Sequence, residues 1–343
     1  MNNFFEQLNR DLKQSNGALP RLIVDDQALE QNLQYVAKKL KYASQLQPRI
    51  VVKSLACLAL LKTISLKLST QRFMVFHMPQ LLPILENFSD VDVLFGKPMP
   101  VSIVQHFYAM NQNCRQADIQ WLIDSKARLL QYLEVAKQFS LTLKINIEID
   151  VGLHRGGVRS DFALIEILRL IEQNPEHLVL AGLMGYDAHV TKLPSVIKKI
   201  DVAYRESQDI YQNYKNIIQQ QFPHLWRADL CFNGGGSPTF YLHVEQSVCN
   251  DLSFGSMLLK PSDFDSDGLS VLQAALWIST PVLKVLPFTQ LPGLEVLDKL
   301  PHKTITNSFK AKIENKNIHN FGYIVYSLLA NNEKANNKLL EMN

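Results

Sequence analysis

Leu178–Tyr186, with the sequence LVLAGLMGY, is an apolar run of strand length that ends directly before the polar residue Asp187. A short apolar run without regular alternation is typical of a strand that is buried on both faces of a parallel sheet. Seven similar runs lie along the chain: Arg21–Asp25, Arg49–Lys53, Arg72–His77, Val91–Lys97, Ile119–Asp124, Lys144–Asp150 and Ala228–Phe232. We therefore expect a sheet of eight largely buried strands.

Amphipathic helical patterns separate these runs. Gln27–Lys41 and Ser125–Phe139 both place apolar residues at helical spacing. Eight strand-then-helix units indicate an α/β protein with a (β/α)8 TIM-type barrel, which we assign to residues 20–265. An open, doubly wound sheet stays an alternative, because the number of strands does not prove that the sheet closes.

The rest of the chain, residues 1–19 and 266–343, is predicted to form a smaller second domain that resembles an incomplete β-domain. Ala274–Lys284 has the pattern of a strand, and Pro281 indicates an edge position because proline cannot donate a ladder hydrogen bond. After about residue 303 the sequence becomes rich in Lys and Asn, so this tail is atypical of such a domain.

Composition narrows the class of protein. Of the 343 residues, 47% are hydrophobic and 20% are charged, which is ordinary for a soluble globular enzyme. The net charge of +3 is spread along the chain, so neither a nucleic acid nor a membrane is an expected partner. The amino-terminal residues are polar and lack a secretory pattern. The four scattered cysteines form no CxxC pair, which fits a reducing cytoplasm.

Lys53 closes the buried run Arg49–Lys53. A lysine at such a position is costly unless its charge is removed or paired. A desolvated amine is a good nucleophile, so Lys53 could form a Schiff base with an aldehyde cofactor. The alternative is a lysine whose ammonium group extends to solvent from the strand end, and position alone does not decide between the two.

The loop Asn233–Thr239, NGGGSPT, has the composition of an anion site. Its glycines let backbone N–H groups approach a phosphate closely, and Ser237 and Thr239 add hydroxyl donors. Phosphate sites of TIM barrels commonly use the loops after the last two strands, and this loop follows the eighth run. A phosphate site is favoured over a flexible turn. Ser256 could complete that site or simply turn the chain.

Two further segments place polar side chains after predicted strands. The loop Asp150–Gly157, DVGLHRGG, puts His154 and Arg155 beside the carboxylate of Asp150. Arg155 could bind a phenolate or a carboxylate, or it could form a structural pair with Asp150. Gly185–His189, GYDAH, contains Tyr186 and His189, either of which could act as a general acid or base.

Taken in order, these motifs resemble the alanine-racemase-like amino-terminal barrel of fold-type III enzymes that use pyridoxal 5'-phosphate (PLP). The resemblance is strongest to the D-threonine aldolase and D-serine dehydratase group and covers about residues 18–300. The segments that carry it are Leu19–Leu33, Pro48–Ser54, Glu148–Gly157, Gly185–His189 and Asn233–Thr239.

By this resemblance the cofactor is PLP, Lys53 binds it as a Schiff base, and Arg155 and Tyr186 lie around its ring. Gly235, Gly236, Ser237 and Thr239 hold the phosphate, and Asn233 and Ser256 are also assigned to cofactor binding. Two departures are visible. Val52 stands where many members have histidine, and the His-x-Cys or His-x-Asp pair that binds a divalent metal in the group is absent. No metal ligand is therefore assigned.

The resemblance implies a PLP-dependent lyase that cleaves or dehydrates a D-amino acid with a β-hydroxyl group. The expected catalytic residues are Lys53, Tyr186 and His189, and the expected assembly is a homodimer. Three alternatives stay open. They are a protein that binds PLP without turnover, a racemase whose second base is Tyr323 or Tyr326, and a phosphate-sugar aldolase that uses Lys53.

Overall fold

Eight parallel strands close into a barrel in the order of the sequence. These are β2 Gln47–Val51, β3 Arg72–Val75, β4 Asp92–Phe95, β5 Asp118–Ile123, β6 Leu143–Ile149, β7 Leu178–Gly185, β8 Cys231–Gly234 and β9 Asp251–Phe254. The computed structural model describes residues 2–15, 19–114, 116–261, 264–265, 268–281 and 323–327. Closure comes from the pairing of β2 with β9, in which Ile50 lies opposite Phe254. The predicted (β/α)8 barrel is thereby confirmed, and the open sheet is wrong.

Helices surround the strands. They are α2 Asp26–Tyr42, α3 Leu58–Leu68, α4 Met78–Asn87, α5 Val101–Met110, α6 Lys126–Phe139, α7 Asp161–Glu172, α8 Ile200–Gln221 and the short α9 Phe240–Glu245. Trp121 of β5 is fully buried between strand and helices, stacked on Phe95 and hydrogen-bonded to the Tyr108 hydroxyl. Helix α6 begins where Ser125 accepts a capping hydrogen bond from Arg128 N. Across the described ranges, no helix is both long and apolar enough to cross a bilayer.

The predicted first barrel strand, Arg21–Asp25, is not part of the barrel. It forms β1 Arg21–Val24, which pairs antiparallel with β10 Leu276–Pro281. Exposure alternates along β1, with Leu22 69% and Val24 40% exposed, which is the pattern of an antiparallel sheet with one solvated face. The true eighth barrel strand is β9, which was not among the eight predicted runs.

This correction changes which barrel strand each of the predicted site loops follows. The Lys53 segment follows the first barrel strand, and NGGGSPT follows the seventh, β8. Ser256 follows the eighth, β9. The two loops with phosphate-site character therefore come after the last two strands, where such sites commonly form.

The chain divides into two compact units, residues 31–258 and residues 1–30 with 259–343. In the second of these, helix α1 Asn2–Gln14 packs Phe5 and Leu12 against Ile23 and Trp277. Strand β10 also pairs with β11 Tyr323–Ser327, so it is the central strand and Pro281 is its last residue. The predicted edge position is therefore wrong. Apart from β11, the tail after about residue 303 lies outside the described residues.

A buried network of charges fills the amino-terminal end of the barrel. Arg49 of β2 is fully buried, and its guanidinium binds Asp251 at 2.7 Å and Asp92 at 2.9 Å. Arg72 lies 3.1 Å from Asp92 and 3.0 Å from Asp251. Since Arg72, Asp92 and Asp251 each begin their strands, this end is closed by ion pairs, and the carboxyl ends of the strands are left for chemistry.

Candidate active site

Lys53 lies at the mouth, by which we mean the carboxyl ends of the eight barrel strands. Strand β2 ends at Val51, and a single turn of 3-10 helix over Val52–Ser54 lifts Lys53 out of the barrel wall. Its Nζ lies 3.8 Å from the centroid of the Phe76 ring. The side chain keeps access to solvent, yet partial burial, followed by the charges of Arg155 and Lys97, lowers the pKa of Lys53. More of the amine is therefore neutral and nucleophilic at a given pH.

Arg155 connects the ends of β6 and β7. Its Nη2 lies 3.2 Å from Oε1 of the buried Glu148, and its guanidinium carbon lies 4.5 Å from the centroid of the Tyr186 ring. Burial raises the pKa of Glu148 and of Tyr186, and in both cases the positive charge of Arg155 opposes the shift. The guanidinium is thus held between a carboxylate and an aromatic face, which fixes its plane.

The loop after β6 is organised by Asp150 in a way that differs from the prediction. Asp150 accepts hydrogen bonds from the backbone N–H groups of Gly152 and His154 and pairs with Arg159 Nε at 3.0 Å. His154 Nδ1 also lies 2.9 Å from Asp150 Oδ2. The predicted neighbour Arg155 pairs with Glu148 instead, because the turn around Asp150 directs residue 155 back toward the mouth.

The loops after β8 and β9 converge on Ser237. Its Oγ accepts hydrogen bonds from the N–H groups of Gly255 at 3.3 Å and Met257 at 3.1 Å, and it lies 3.2 Å from Ser256 Oγ. A Cβ at Gly236 would lie only 2.9 Å from the edge of the Tyr186 ring, so the loop backbone is in close contact with that ring. The two loops therefore meet at the hydroxyls of Ser237 and Ser256, close to Tyr186.

Asn233 and Thr239 were predicted to bind the cofactor, but their side chains do not lie in this group. Asn233 lies in β8 inside the barrel, and its amide donates to Ser253 Oγ at 2.8 Å and to Asp251. Thr239 is fully buried and donates to Asp187 Oδ1 at 2.8 Å. Both polar groups are already satisfied by protein atoms, which leaves Ser237 and Ser256 as the candidate hydroxyls of these two loops.

His189 packs against the loop that carries Arg155. Its Nε2 would lie 2.8 Å from a Cβ at Gly152, and its Nδ1 is buried without a hydrogen-bond partner among the described residues. Burial lowers the pKa of His189, against the charges of Asp187 and Asp150. The lowered pKa favours the neutral imidazole, which can accept a proton.

Four residues around the site were missed at the level of sequence: Phe76, Lys97, Glu148 and Asp187. Phe76, Lys97 and Glu148 lie at or near carboxyl ends of barrel strands, so the rule that selected Lys53 applies to them as well. Asp187 lies within the GYDAH segment, but its partners are 52 and 56 positions away. Nothing in its local sequence indicates those partners. Within the described part of the chain, no group of His, Cys, Asp or Glu side chains is arranged to hold a metal ion.

Comparisons with known proteins place this geometry in context. A family model described as the N-terminal domain of alanine racemase matches residues 24–262. Alanine racemase from Oenococcus oeni shares 15% identity at a TM-score of 0.59, over 78% of this chain and 72% of that one. D-threonine aldolase from Filomicrobium marinum shares 19% identity at a TM-score of 0.63, over 76% of this chain and 71% of that one.

A third similar structure is the H351A mutant of a D-threo-3-hydroxyaspartate dehydratase. It shares 14% identity at a TM-score of 0.64, over 77% of this chain and 66% of that one. No curated protein has significant sequence similarity to this chain. At these identities the solved structures show a common fold, and the family model covers the barrel with all the residues of the candidate site.

Proposed function

Since this chain belongs to the family defined by the N-terminal domain of alanine racemase, a family of fold-type III PLP enzymes, we propose that it is a PLP-dependent lyase acting on a D-amino acid with a β-hydroxyl group. The observation that carries the proposal is the placement of Lys53. Its amine, with a lowered pKa, lies at the mouth of the same barrel as the hydroxyls of Ser237 and Ser256. Such an arrangement suits an aldehyde cofactor that also carries a phosphate.

The residues at the mouth fit PLP in their chemistry. Lys53 would bind the aldehyde carbon, and Ser237, Ser256 and the backbone around Gly236 would bind the phosphate. The close approach of the Gly236 backbone to Tyr186 is the kind of cradle that any larger residue would fill. Arg155, fixed against Tyr186, would contribute the positive charge beside the cofactor ring.

When bound, PLP supplies an electron-withdrawing ring that stabilises negative charge on a substrate carbon. The protein must then move protons at defined atoms. Lys53 Nζ would accept the proton of the substrate amine or of Cα, since its lowered pKa keeps part of it unprotonated. Tyr186 would stay protonated because burial raises its pKa, so it can donate a hydrogen bond.

His189 supports a reaction at the β-carbon. Aldol cleavage removes the proton of the β-hydroxyl group, whereas dehydration protonates that group as it leaves. A neutral imidazole can accept the proton in aldol cleavage, whereas dehydration would need the protonated ring that the lowered pKa of His189 disfavours. Racemisation would instead require a second base at Cα. The candidates Tyr323 and Tyr326 lie in β11, so their side chains are outside the described residues.

The expected homodimer and cytoplasmic location belong to the same proposal. Family membership favours PLP over the phosphate-sugar aldolase alternative, because that alternative explains Lys53 and the glycine loop alone. Sedimentation of the purified chain with PLP tests the assembly, and a purely monomeric species would contradict the dimer.

The first experiment tests the cofactor and its lysine. We expect purified protein to develop a visible absorbance band with PLP, and borohydride should fix the cofactor covalently to the wild type but not to Lys53→Ala. Lys97→Gln is the matched control, because it removes the other lysine of the mouth and should leave fixation intact. Absence of fixation in the wild type, or equal fixation in Lys53→Ala, would refute the assignment.

The second step identifies the reaction. D-threonine, D-serine, D-threo-3-hydroxyaspartate and D-alanine would be offered to the loaded enzyme. Aldehyde release reports aldol cleavage, ammonia release reports dehydration, and formation of the L-enantiomer reports racemisation. We expect lyase products from a β-hydroxy substrate and a loss of at least about 100-fold in kcat for His189→Gln. Turnover of D-alanine alone would show a racemase.

A further inference from the structure

Behind the glycine loop lies a buried carboxylate that the proposed chemistry does not use. Asp187 is 1% exposed and lies two residues past the end of β7. Its Oδ1 accepts a hydrogen bond from Thr239 Oγ1 at 2.8 Å, and its Oδ2 lies 2.8 Å from His243 Nε2. A carboxylate so far from water is costly unless donors satisfy it, and here two side chains from the next βα segment do so.

Thr239 links Asp187 to the glycine loop through hydrogen bonds. Its Oγ1 accepts a hydrogen bond from the backbone N–H of Gly236 at 3.1 Å while it donates to Asp187. Gly236 is the residue whose backbone closely approaches the edge of the Tyr186 ring. The carboxylate of Asp187 therefore fixes the peptide at the centre of the predicted phosphate site through one intervening hydroxyl.

His243 packs against the backbone of the glycine loop. A Cβ at Gly235 would lie 3.0 Å from its ring, so the imidazole is in direct contact with the loop backbone. Its Nδ1 lies 2.8 Å from Ser247 Oγ, and the edge of its ring meets Tyr204 at 5.2 Å between centroids. With both ring nitrogens engaged, His243 has a fixed orientation and holds Asp187 in turn.

Gly235 shows why such support is needed. Its φ of +72° lies in the left-handed region, and glycine has high conformational freedom in an unconstrained loop. A loop with three consecutive glycines presents its N–H groups in one direction only if outside contacts hold it. Thr239 and His243 supply those contacts from the two sides of the loop.

We propose that Asp187, together with His243, is a positioning residue that acts through Thr239 to hold the loop Gly235–Thr239 in the conformation that receives a phosphate. The inference rests on the proposed function, because it takes that phosphate to be part of PLP. Asp187 would not touch the cofactor. Its removal should weaken recognition of the phosphate and leave the reaction of Lys53 with an aldehyde unchanged.

The experiment compares PLP with pyridoxal, which has the same aldehyde but no phosphate. Apo-protein would be titrated with each by absorbance, for the wild type, Thr239→Val and Thr239→Ser. Valine keeps the shape of threonine but lacks the hydroxyl, whereas serine retains it. We expect Thr239→Val to lose at least about tenfold in PLP affinity and to bind pyridoxal within about twofold of the wild type. Thr239→Ser should restore PLP binding.

Thr70→Val is the matched control. Thr70 is also buried, donates to Pro48 O and accepts from Arg72 N, but it lies at the opposite end of the barrel. The Thr70→Val variant should bind PLP and pyridoxal with the same affinities as the wild type. Unchanged PLP binding in Thr239→Val, or an equal loss for PLP and pyridoxal, would overturn the inference. If Thr239→Val does not fold, Asp187→Asn takes its place with the same expected result.

Failure of the proposed function gives a different result. In that case the wild type does not bind PLP at all, and the same variants would be titrated calorimetrically with inorganic phosphate. Phosphate binding that is present in the wild type and lost in Thr239→Val would preserve the positioning role without PLP. No phosphate binding in the wild type, or equal binding in both proteins, would remove it.

Discussion

At the scale of single residues, Lys53 shares the mouth with a second lysine. After burial, the charges of Arg155 and Lys97 are the causes that lower the pKa of Lys53. Arg155 is neutralised in part by Glu148, whereas no ion pair of Lys97 is seen among the described residues. Lys97 is therefore the group through which the reactivity of Lys53 can be tuned without disturbing the Glu148–Arg155–Tyr186 arrangement.

We predict that Lys97→Gln shifts the reaction of Lys53 to higher pH. Removing a nearby positive charge raises the pKa of Lys53, so a smaller fraction of the amine is neutral at any pH below that pKa. The rate of pyridoxal capture as a function of pH measures this, since pyridoxal carries no phosphate for Lys97 to contact. Lys137→Gln, a change on the outer helix α6, is the control. A profile that does not move, or moves to lower pH, would contradict the prediction.

The site residues that the sequence predicts are those that end a buried run or lie in a distinctive loop. Lys53, Arg155, Tyr186 and Ser237 are selected in this way, and the structure places them near the mouth because strand ends meet there. The proposed positioning roles of Thr239 and His243 could not be predicted, because both involve contacts with Asp187, which is more than 50 positions away in sequence. Local composition gives no information about such a pairing.

At the scale of elements, β7 owes its position to a bulge. The pairing with β6 shifts between Ile145 and Asn146, so that Ala181 is an extra residue in β7. The next residue, Gly182, has φ of +153°, and a Cβ there would lie 1.8 Å from Cys231 O in β8. Only glycine fits between the two strands, and the bulge sets the register that brings Tyr186 to the mouth.

We predict that Gly182→Ala destabilises the fold by about 3 kcal/mol or more, because the new Cβ overlaps backbone and the dihedral is strained. Denaturant unfolding would measure the change. Gly156→Ala is the matched control, since its Cβ would have nothing closer than 3.9 Å, and it should stay within about 0.5 kcal/mol of the wild type. Equal stability of the two variants would refute this account of the bulge.

The strands themselves show where prediction from sequence stops. Long apolar runs such as Leu178–Gly185 were found because burial on both faces leaves an unmistakable pattern. Strand β9, Asp251–Phe254, is four residues long and includes two polar residues, so its run carries little signal. Those residues, Asp251 and Ser253, bind Arg49 and Asn233 inside the barrel, and such partners are visible only once the sheet has closed.

At the scale of the whole molecule, ion pairs accompany the closure of the barrel. Arg49 of β2 binds Asp251 of β9 across the closing pair and reaches Asp92 of β4 as well. Burial would raise the pKa of Asp92, but the charge and hydrogen bond of Arg49 outweigh it, and the pKa of Asp92 is lowered. A carboxylate with a lowered pKa stabilises the fold above its unfolded pKa of about 3.9.

We therefore predict that the free energy of unfolding falls as the pH drops below about 4. Protonation of Asp92 removes the charge that pairs with Arg49, so the stabilisation from that pair is lost. Urea midpoints between pH 6 and pH 3 would show the decline. Asp92→Asn should begin less stable by about 3 kcal/mol and decline less over this range, because one titrating group is gone. Asp229→Asn, which changes an exposed carboxylate, should follow the wild type. A parallel decline in Asp92→Asn would disprove this role.

The pairing of β1 with β10 must form late in synthesis. Strand β1 is synthesised before the barrel strands, but its partner β10 follows only after all of them. Arg21 therefore cannot pair with Ser279 until the barrel strands have been synthesised. All eight barrel strands can complete their pairing in that interval. Until β10 has been synthesised, β1 is an unpaired strand with exposed Leu22, and its open N–H and C=O groups can pair with another chain.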